Sequence, residues 1–113
     1  MDAQELAELK RKWVELLTEL EKQFGEKPDL QVLLFLIGVQ EVGKGYEKYS
    51  KDEKQNLMHV ATCRVLSPFG YYEFEKIDED GWPHYKVIKP LPTMTLGEQD
   101  VMLKRAVLMY FQK

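Results

Sequence analysis

Apolar residues recur at spacings of three and four through the first part of the chain, and charged residues fill most positions between them. The apolar positions are Leu6, Leu9, Trp13, Leu16 and Leu20. This period predicts an amphipathic helix from Ala3 to Phe24. Gly25 ends the helix at a left-handed cap position, and Pro28 prevents its continuation. Two arrangements stay open: the helix packs on the core of its own chain, or it is shared with a second copy.

The next segment, from Leu30 to Val42, contains the longest apolar run in the chain and is apolar on every side. Such a segment is typical of a buried helix, so we expect a central helix that the rest of the chain covers. Gly38 lies inside it, where a glycine costs about 1 kcal/mol relative to alanine. That cost would be tolerated if another backbone packs closely against Gly38.

Two capping boxes mark the beginnings of two further helices. Ser50 and Glu53 predict a third helix from Lys51 to about Leu66. Thr95 and Glu98 predict a last helix that runs to the end of the chain. Its wide apolar face is typical of a buried helix or of one at a subunit interface.

A β-hairpin is predicted between the third and the last helix, over about residues 71–89. Its strands are Tyr71–Ile77 and Trp82–Lys89, and Asp80-Gly81 between them is a strong signal for a two-residue turn. That turn would place Glu75 opposite Lys86 and Phe74 opposite Val87, and both pairs are favourable across strands. The predicted fold class is therefore mainly α within α+β: four helices and one inserted antiparallel hairpin, in a single domain over residues 1–113.

Composition restricts the class of partner and the compartment. The chain has 113 residues, a net charge of −3 and a single cysteine, Cys63. A mildly acidic balance opposes binding to nucleic acid, and one cysteine cannot form an intramolecular disulfide. The apolar segment of the central helix is shorter than the roughly 20 residues that span a bilayer. We therefore expect a soluble cytoplasmic protein that binds neither nucleic acid nor membranes.

One motif has the form of a phosphate-binding loop. Residues from Gly38 to Gly45 fit G-x-x-x-x-G-K, with Lys44 as the lysine. The residue after the lysine is Gly45, whereas the loop requires a Ser or Thr hydroxyl there to hold magnesium. The chain also lacks the alternating strands and helices of a nucleotide-binding domain. The sequence therefore favours a glycine-rich helix end.

A second candidate is a metal site built on the third helix. His59 and Cys63 are four residues apart, so their side chains share one helix face, and this spacing suits two ligands of a zinc or iron ion. Glu41 would be the third ligand. A salt bridge from Lys44 or Arg64 would explain Glu41 equally well. His59 would then be a half-buried histidine and Cys63 a small core cysteine. The same Cys–His pair lacks free backbone N–H groups for an oxyanion hole, which argues against nucleophilic catalysis.

Aromatic residues are concentrated in the middle of the chain: Tyr46, Tyr49, Phe69, Tyr71, Tyr72, Phe74, Trp82 and Tyr85. Tyr and Trp are favoured at interfaces because they bury area and keep a polar tip. The hairpin members of this group form the predicted interaction surface: Tyr71, Tyr72, Phe74, Trp82 and Tyr85. The alternative is that these large residues cap a small core.

These patterns predict a non-enzymatic protein-interaction module, because a lone two-stranded hairpin is marginal in water and must pack on a helix or on another chain. We expect a homodimer whose contact surface is formed by the first helix, the hairpin aromatics and the last helix, with another protein as a possible partner and no cofactor. The alternative function is a small metal- or ligand-binding protein. Its site would lie between the second and third helices and use Glu41, His59 and Cys63, with zinc or iron as the metal.

Overall fold

The computed structural model describes residues 2–45 and 47–112, and its elements follow one another in the predicted order. They are α1 (Ala3–Phe24), α2 (Leu30–Val42), α3 (Lys51–Leu66), a short 3-10 turn (Ser67–Phe69), β1 (Tyr72–Ile77), β2 (Pro83–Val87) and α4 (Leu96–Phe111). The predicted fold class, four helices with an antiparallel hairpin between the third and the fourth, is confirmed. Tyr46, one of the predicted aromatic residues, lies outside the described residues.

Short local interactions fix the helix ends where the sequence predicts them. The Asp29 side chain accepts the Val32 N–H at 2.8 Å to begin α2, and Gly43 ends it with a φ of 76°. Both capping boxes form, each with reciprocal side-chain and backbone hydrogen bonds. The hydrogen bonds with Ser50 lower the pKa of Glu53, because hydrogen bonds to a carboxylate favour its ionised form.

The core lies where α2, α3 and α4 meet. Its most buried large side chains are Leu33, Ile37, Leu57, Leu66, Val65, Val107 and Cys63. The first helix adds Leu9 and Trp13 to the buried set and packs mainly against α4. Trp13 belongs to the same cluster as the α2, α3 and α4 residues, so α1 is held by the core of its own chain.

Gly38 is the point of closest approach between α2 and α3. A Cβ atom at this position would lie 2.1 Å from the Leu57 carbonyl oxygen and 2.6 Å from its carbonyl carbon. No larger residue fits there without moving one of the two helices. The predicted reason for a glycine inside α2, a close neighbouring backbone, is therefore confirmed.

The predicted hairpin register is wrong by two residues. Lys86 pairs with Glu73 rather than with Glu75, and Val87 pairs with Tyr72 rather than with Phe74. The observed pairing retains one favourable charge pair, because the Lys86 ammonium lies 3.7 Å from the Glu73 carboxylate.

The register differs because the turn is longer than predicted and β1 contains a bulge. The Asp78 N–H donates to the Trp82 carbonyl, which leaves three residues in the loop instead of two. Gly81 adopts a φ of 88° at the end of this loop, as three-residue hairpins with a type I turn require. Glu75 is left unpaired in the bulge between Phe74 and Lys76, which adds the second step of the shift.

The Gly38 contact predicts a specific cost for a larger side chain. Gly38→Ala should destabilise the protein by about 1–3 kcal/mol, because the added methyl group overlaps the Leu57 backbone. The free-energy cost of this overlap outweighs the gain from the higher helix propensity of alanine. The matched control is Gly97→Ala in the first turn of α4. There a Cβ atom meets only the Thr95 hydroxyl at 3.9 Å. We expect that variant to be neutral or up to about 1 kcal/mol more stable. Urea unfolding measures both, and equal midpoints for the two variants would contradict the close contact.

Candidate functional site

A cleft of about 490 Å³ lies between α3 and the hairpin. Its walls consist of Glu53, Asn56, His59, Val60, Cys63, Asp78, Trp82, Pro83, His84 and Tyr85. The size is within the range of small-molecule pockets. The cleft lies on the hairpin side of α3, not between α2 and α3 as the alternative function required.

His59 and Cys63 both line this cleft, and the i,i+4 spacing brings them together as predicted. The His59 Nε2 and Cys63 Sγ atoms are 3.6 Å apart. The Cys63 side chain is buried in the core, and this burial raises the pKa of its thiol to about 11. The thiol is therefore neutral at physiological pH, which opposes nucleophilic attack by this residue.

The other side of the cleft is organised by Asp78. Its Oδ1 accepts the backbone N–H groups of Asp80 and Trp82, both at 2.9 Å, and its Oδ2 lies 2.8 Å from His84 Nε2. The hydrogen bond with His84, followed by that from the Trp82 N–H, holds the pKa of Asp78 below its ordinary value. Asp78 thus fixes the turn that carries Trp82 and His84 to the rim of the cleft.

Glu41 does not join His59 and Cys63. The Tyr110 hydroxyl donates to its Oε2 at 2.8 Å, and Arg64 Nε lies 3.3 Å from its Oε1. Arg64 is one of the two partners that the sequence offered as the alternative to a metal. Burial first, and the hydrogen bond to Glu41 second, raise the pKa of Tyr110. The described residues contain no group of three His, Cys, Asp or Glu side chains that could hold a metal ion, so the predicted trio does not converge.

The predicted surface aromatics are unequally exposed. Phe74 is 50% exposed, whereas Tyr71, Tyr72, Trp82 and Tyr85 are partly buried. Phe74 packs edge to face on Tyr85, with ring centroids 5.9 Å apart. Trp82 packs against a small core cluster formed around Val39, Val42, Tyr49 and Leu57.

Aliphatic residues beside these aromatics are more exposed, and the sequence interpretation missed them. Ile77 is 63% exposed, Val87 65% and Ile88 51%. Val87 shares a face with Tyr72 and Phe74, because Tyr72 and Phe74 are two residues apart and Val87 pairs with Tyr72. Their β-branched side chains were a visible signal, but their common exposure depends on the register and on which helices cover the hairpin.

Comparisons with known proteins do not supply a relative. No protein-family model matches the chain, and no curated protein or solved structure matches it. No helix in the described part of the chain has the length and apolar character needed to cross a membrane.

The buried thiol should react slowly in the folded protein. A rise in pKa from 9.0 to about 11 lowers the thiolate fraction at neutral pH about a hundredfold, and burial further limits access to Sγ. We expect iodoacetamide to label Cys63 at least about a hundredfold more slowly than in urea-unfolded protein, as followed by mass spectrometry. Labelling as fast as that of the unfolded chain would instead indicate a thiol activated by His59.

The Asp78 network predicts different effects for two neighbouring carboxylates. Asp78→Ala removes the acceptor for two backbone N–H groups and the partner of His84, so the turn should lose order. Asp80→Ala is the matched control, because the hydrogen bonds of the turn use the Asp80 backbone and not its side chain. We expect faster amide hydrogen exchange at Trp82 in the Asp78 variant only. Equal protection of Trp82 in both variants would show that the loop backbone holds the turn without Asp78.

Proposed function

We propose that the chain is a non-enzymatic cytoplasmic interaction module in which the hairpin side binds a second copy. The observation that carries this proposal is a group of exposed apolar residues on the hairpin and the segment after it. We call it the hairpin row, and its members are Phe74, Ile77, Val87, Ile88 and Leu91, each 40–65% exposed. Exposed apolar residues concentrated in one part of a soluble protein are typical of an interaction site.

The overall surface area supports the same proposal. The chain exposes 7806 Å², whereas a compact protein of 13.3 kDa exposes roughly 6,500 Å². The excess of roughly 1,300 Å² exceeds the roughly 800 Å² that each partner buries in an interface of standard size. The radius of gyration, 14.7 Å, is likewise larger than the roughly 13.3 Å of a compact domain of this length. A second copy would cover the additional surface.

Strand geometry and charge favour a second copy over an unrelated partner. Each strand of a two-stranded sheet keeps one unpaired edge, and such edges are templates for pairing with another strand. Charges of both signs alternate with the apolar residues along the two strands: Glu73, Glu75, Lys76 and Lys86, of which Glu73 and Lys86 pair across the strands. In a two-fold contact the same patch meets itself, so mixed charges can pair across it whereas a patch of one sign would repel itself.

The cleft between α3 and the hairpin favours a second candidate function, small-ligand binding. This replaces the site between the second and third helices and leaves out zinc and iron, because Glu41 is held by Tyr110 and Arg64. The two functions are compatible, since the cleft and the hairpin row share only the hairpin itself.

The interaction proposal predicts a dimer that one charge on the hairpin row dissociates. We expect native mass spectrometry and light scattering to show a dimer for the unmodified chain and a monomer for Val87→Glu, because burying an unpaired carboxylate opposes association. The control is Val32→Glu, at another exposed apolar position, 44% exposed in the first turn of α2. That variant should remain a dimer.

Two outcomes would contradict the proposal. An unmodified chain that stays monomeric over the accessible concentration range has no self-association for the row to mediate. A Val87→Glu variant that stays dimeric would place the contact away from the hairpin. In that case Val14→Glu tests whether α1 forms the dimer contact, because Val14 is the most exposed large apolar residue of that helix in the described structure, at 56%.

A further inference from the structure

We infer that the cleft between α3 and the hairpin binds a small organic ammonium ion, held by the faces of Trp82 and Tyr85 and by the negative charge of Glu53 and Asp78. This inference does not depend on the assembly state of the chain. Each of its steps rests on residues that line the cleft or lie at its rim.

The charge of the cleft selects a cation. Its lining includes two carboxylates, Glu53 and Asp78, and no lysine or arginine among the described residues. The pKa values of both carboxyls lie below their ordinary values, because Ser50 and His84 respectively hydrogen-bond to them, so both are ionised at neutral pH. These two carboxylates give the walls of the cleft their negative charge. A carboxylate or phosphate ligand would be repelled.

The aromatic residues select an organic cation. Trp82 and Tyr85 both line the cleft, and the negatively charged faces of aromatic rings attract ammonium groups, with indole the strongest. A quaternary or alkylated ammonium is weakly hydrated and gains from contact with apolar wall atoms such as those of Val60 and Pro83. A volume of about 490 Å³ accommodates a molecule of this kind.

The carboxylates are arranged for long-range attraction rather than for metal coordination. The oxygens of Asp78 already interact with the Asp80 and Trp82 N–H groups and with His84. Oε1 of Glu53 accepts the Ser50 N–H at 2.9 Å to close the capping box. If these three oxygens turned towards a metal ion, the hydrogen bonds of the turn or of the helix cap would be lost. An organic ammonium needs their charge and not their coordination.

The chain's own Lys44 places an ammonium group beside this site. Its Nζ lies 5.9 Å from the centroid of the Trp82 ring, and its side chain passes 3.8 Å from the position of a Cβ on Gly81. Its positive charge also contributes to the lowered pKa of Glu53. Lys44 does not line the cleft, so the cleft itself remains open to a second, external ammonium.

The test compares choline with its neutral isostere, 3,3-dimethylbutan-1-ol, on the unmodified protein at about pH 8. Nitrogen–proton NMR resolves the indole N–H of Trp82 from that of Trp13, which lies in the core and serves as an internal reference. We expect saturable shifts of the Trp82 indole and the Asn56 side-chain amide with choline. The alcohol should bind at least about tenfold more weakly, because it lacks the charge.

Trp82→Leu is the matched variant, since it keeps apolar volume at the wall and removes the ring. Choline binding should weaken at least about tenfold, followed through the Asn56 amide. If this variant fails to fold, the comparison of choline with the alcohol still decides the question. Equal binding of the two compounds, or no shift at Trp82, would overturn the inference.

The last compound to be titrated is a peptide that contains one trimethyl-lysine. If the peptide binds and choline does not, the cation belongs to a partner protein. The assignment of a small-molecule ligand would then be wrong.

Discussion

The contact between Gly38 and Leu57 is the constraint on which the rest of the structure depends. The absence of a side chain at Gly38 lets α3 lie directly on α2, with the position of a Cβ only 2.1 Å from the Leu57 carbonyl oxygen. This contact uses one face of α3 for the core and turns the opposite face, with His59, towards the hairpin. The cleft lies on this second side of α3. A glycine that is unfavourable for the helix alone is favourable for the packing of the pair.

Features governed by a few neighbouring residues could be predicted from the sequence. Helix ends are of this kind, because a cap needs only a side chain and a backbone N–H three residues away, as in Ser50 and Glu53. The close approach at Gly38 was also predictable, since a glycine inside an apolar helix indicates that a neighbouring backbone lies against it. The presence of the hairpin was predictable for the same reason as the helix ends. Its register was not predictable, because the Asp78 side chain and the bulge at Glu75 lengthen the connection. The Asp80-Gly81 pair indicates a turn but not this additional length.

The candidate site shows where sequence reasoning stops. Helical spacing correctly predicted that His59 and Cys63 lie close together, because both belong to one rigid helix. Spacing could not predict the position of Glu41 relative to them, because the direction of the Glu41 side chain depends on Tyr110, which is 69 residues away in the chain. Nor could it place Asp78 and His84 across from α3, since that depends on the hairpin register and on the side of α3 that the core leaves free. Chemistry shared between elements is fixed by packing rather than by spacing.

The hairpin connects the two surfaces that bear on function. Tyr85 forms part of the cleft wall, and Phe74, its partner across the strands, belongs to the hairpin row. Their rings pack edge to face at 5.9 Å, so a partner seated on Phe74 is separated from the cleft by one side chain. A two-stranded hairpin has little stability of its own, and its position here depends on the Asp78 turn and on the packing of Trp82. A ligand that contacts Trp82 and Tyr85 would restrict the hairpin and order the exposed row, so occupancy of the cleft and binding at the row would favour each other through the same two strands.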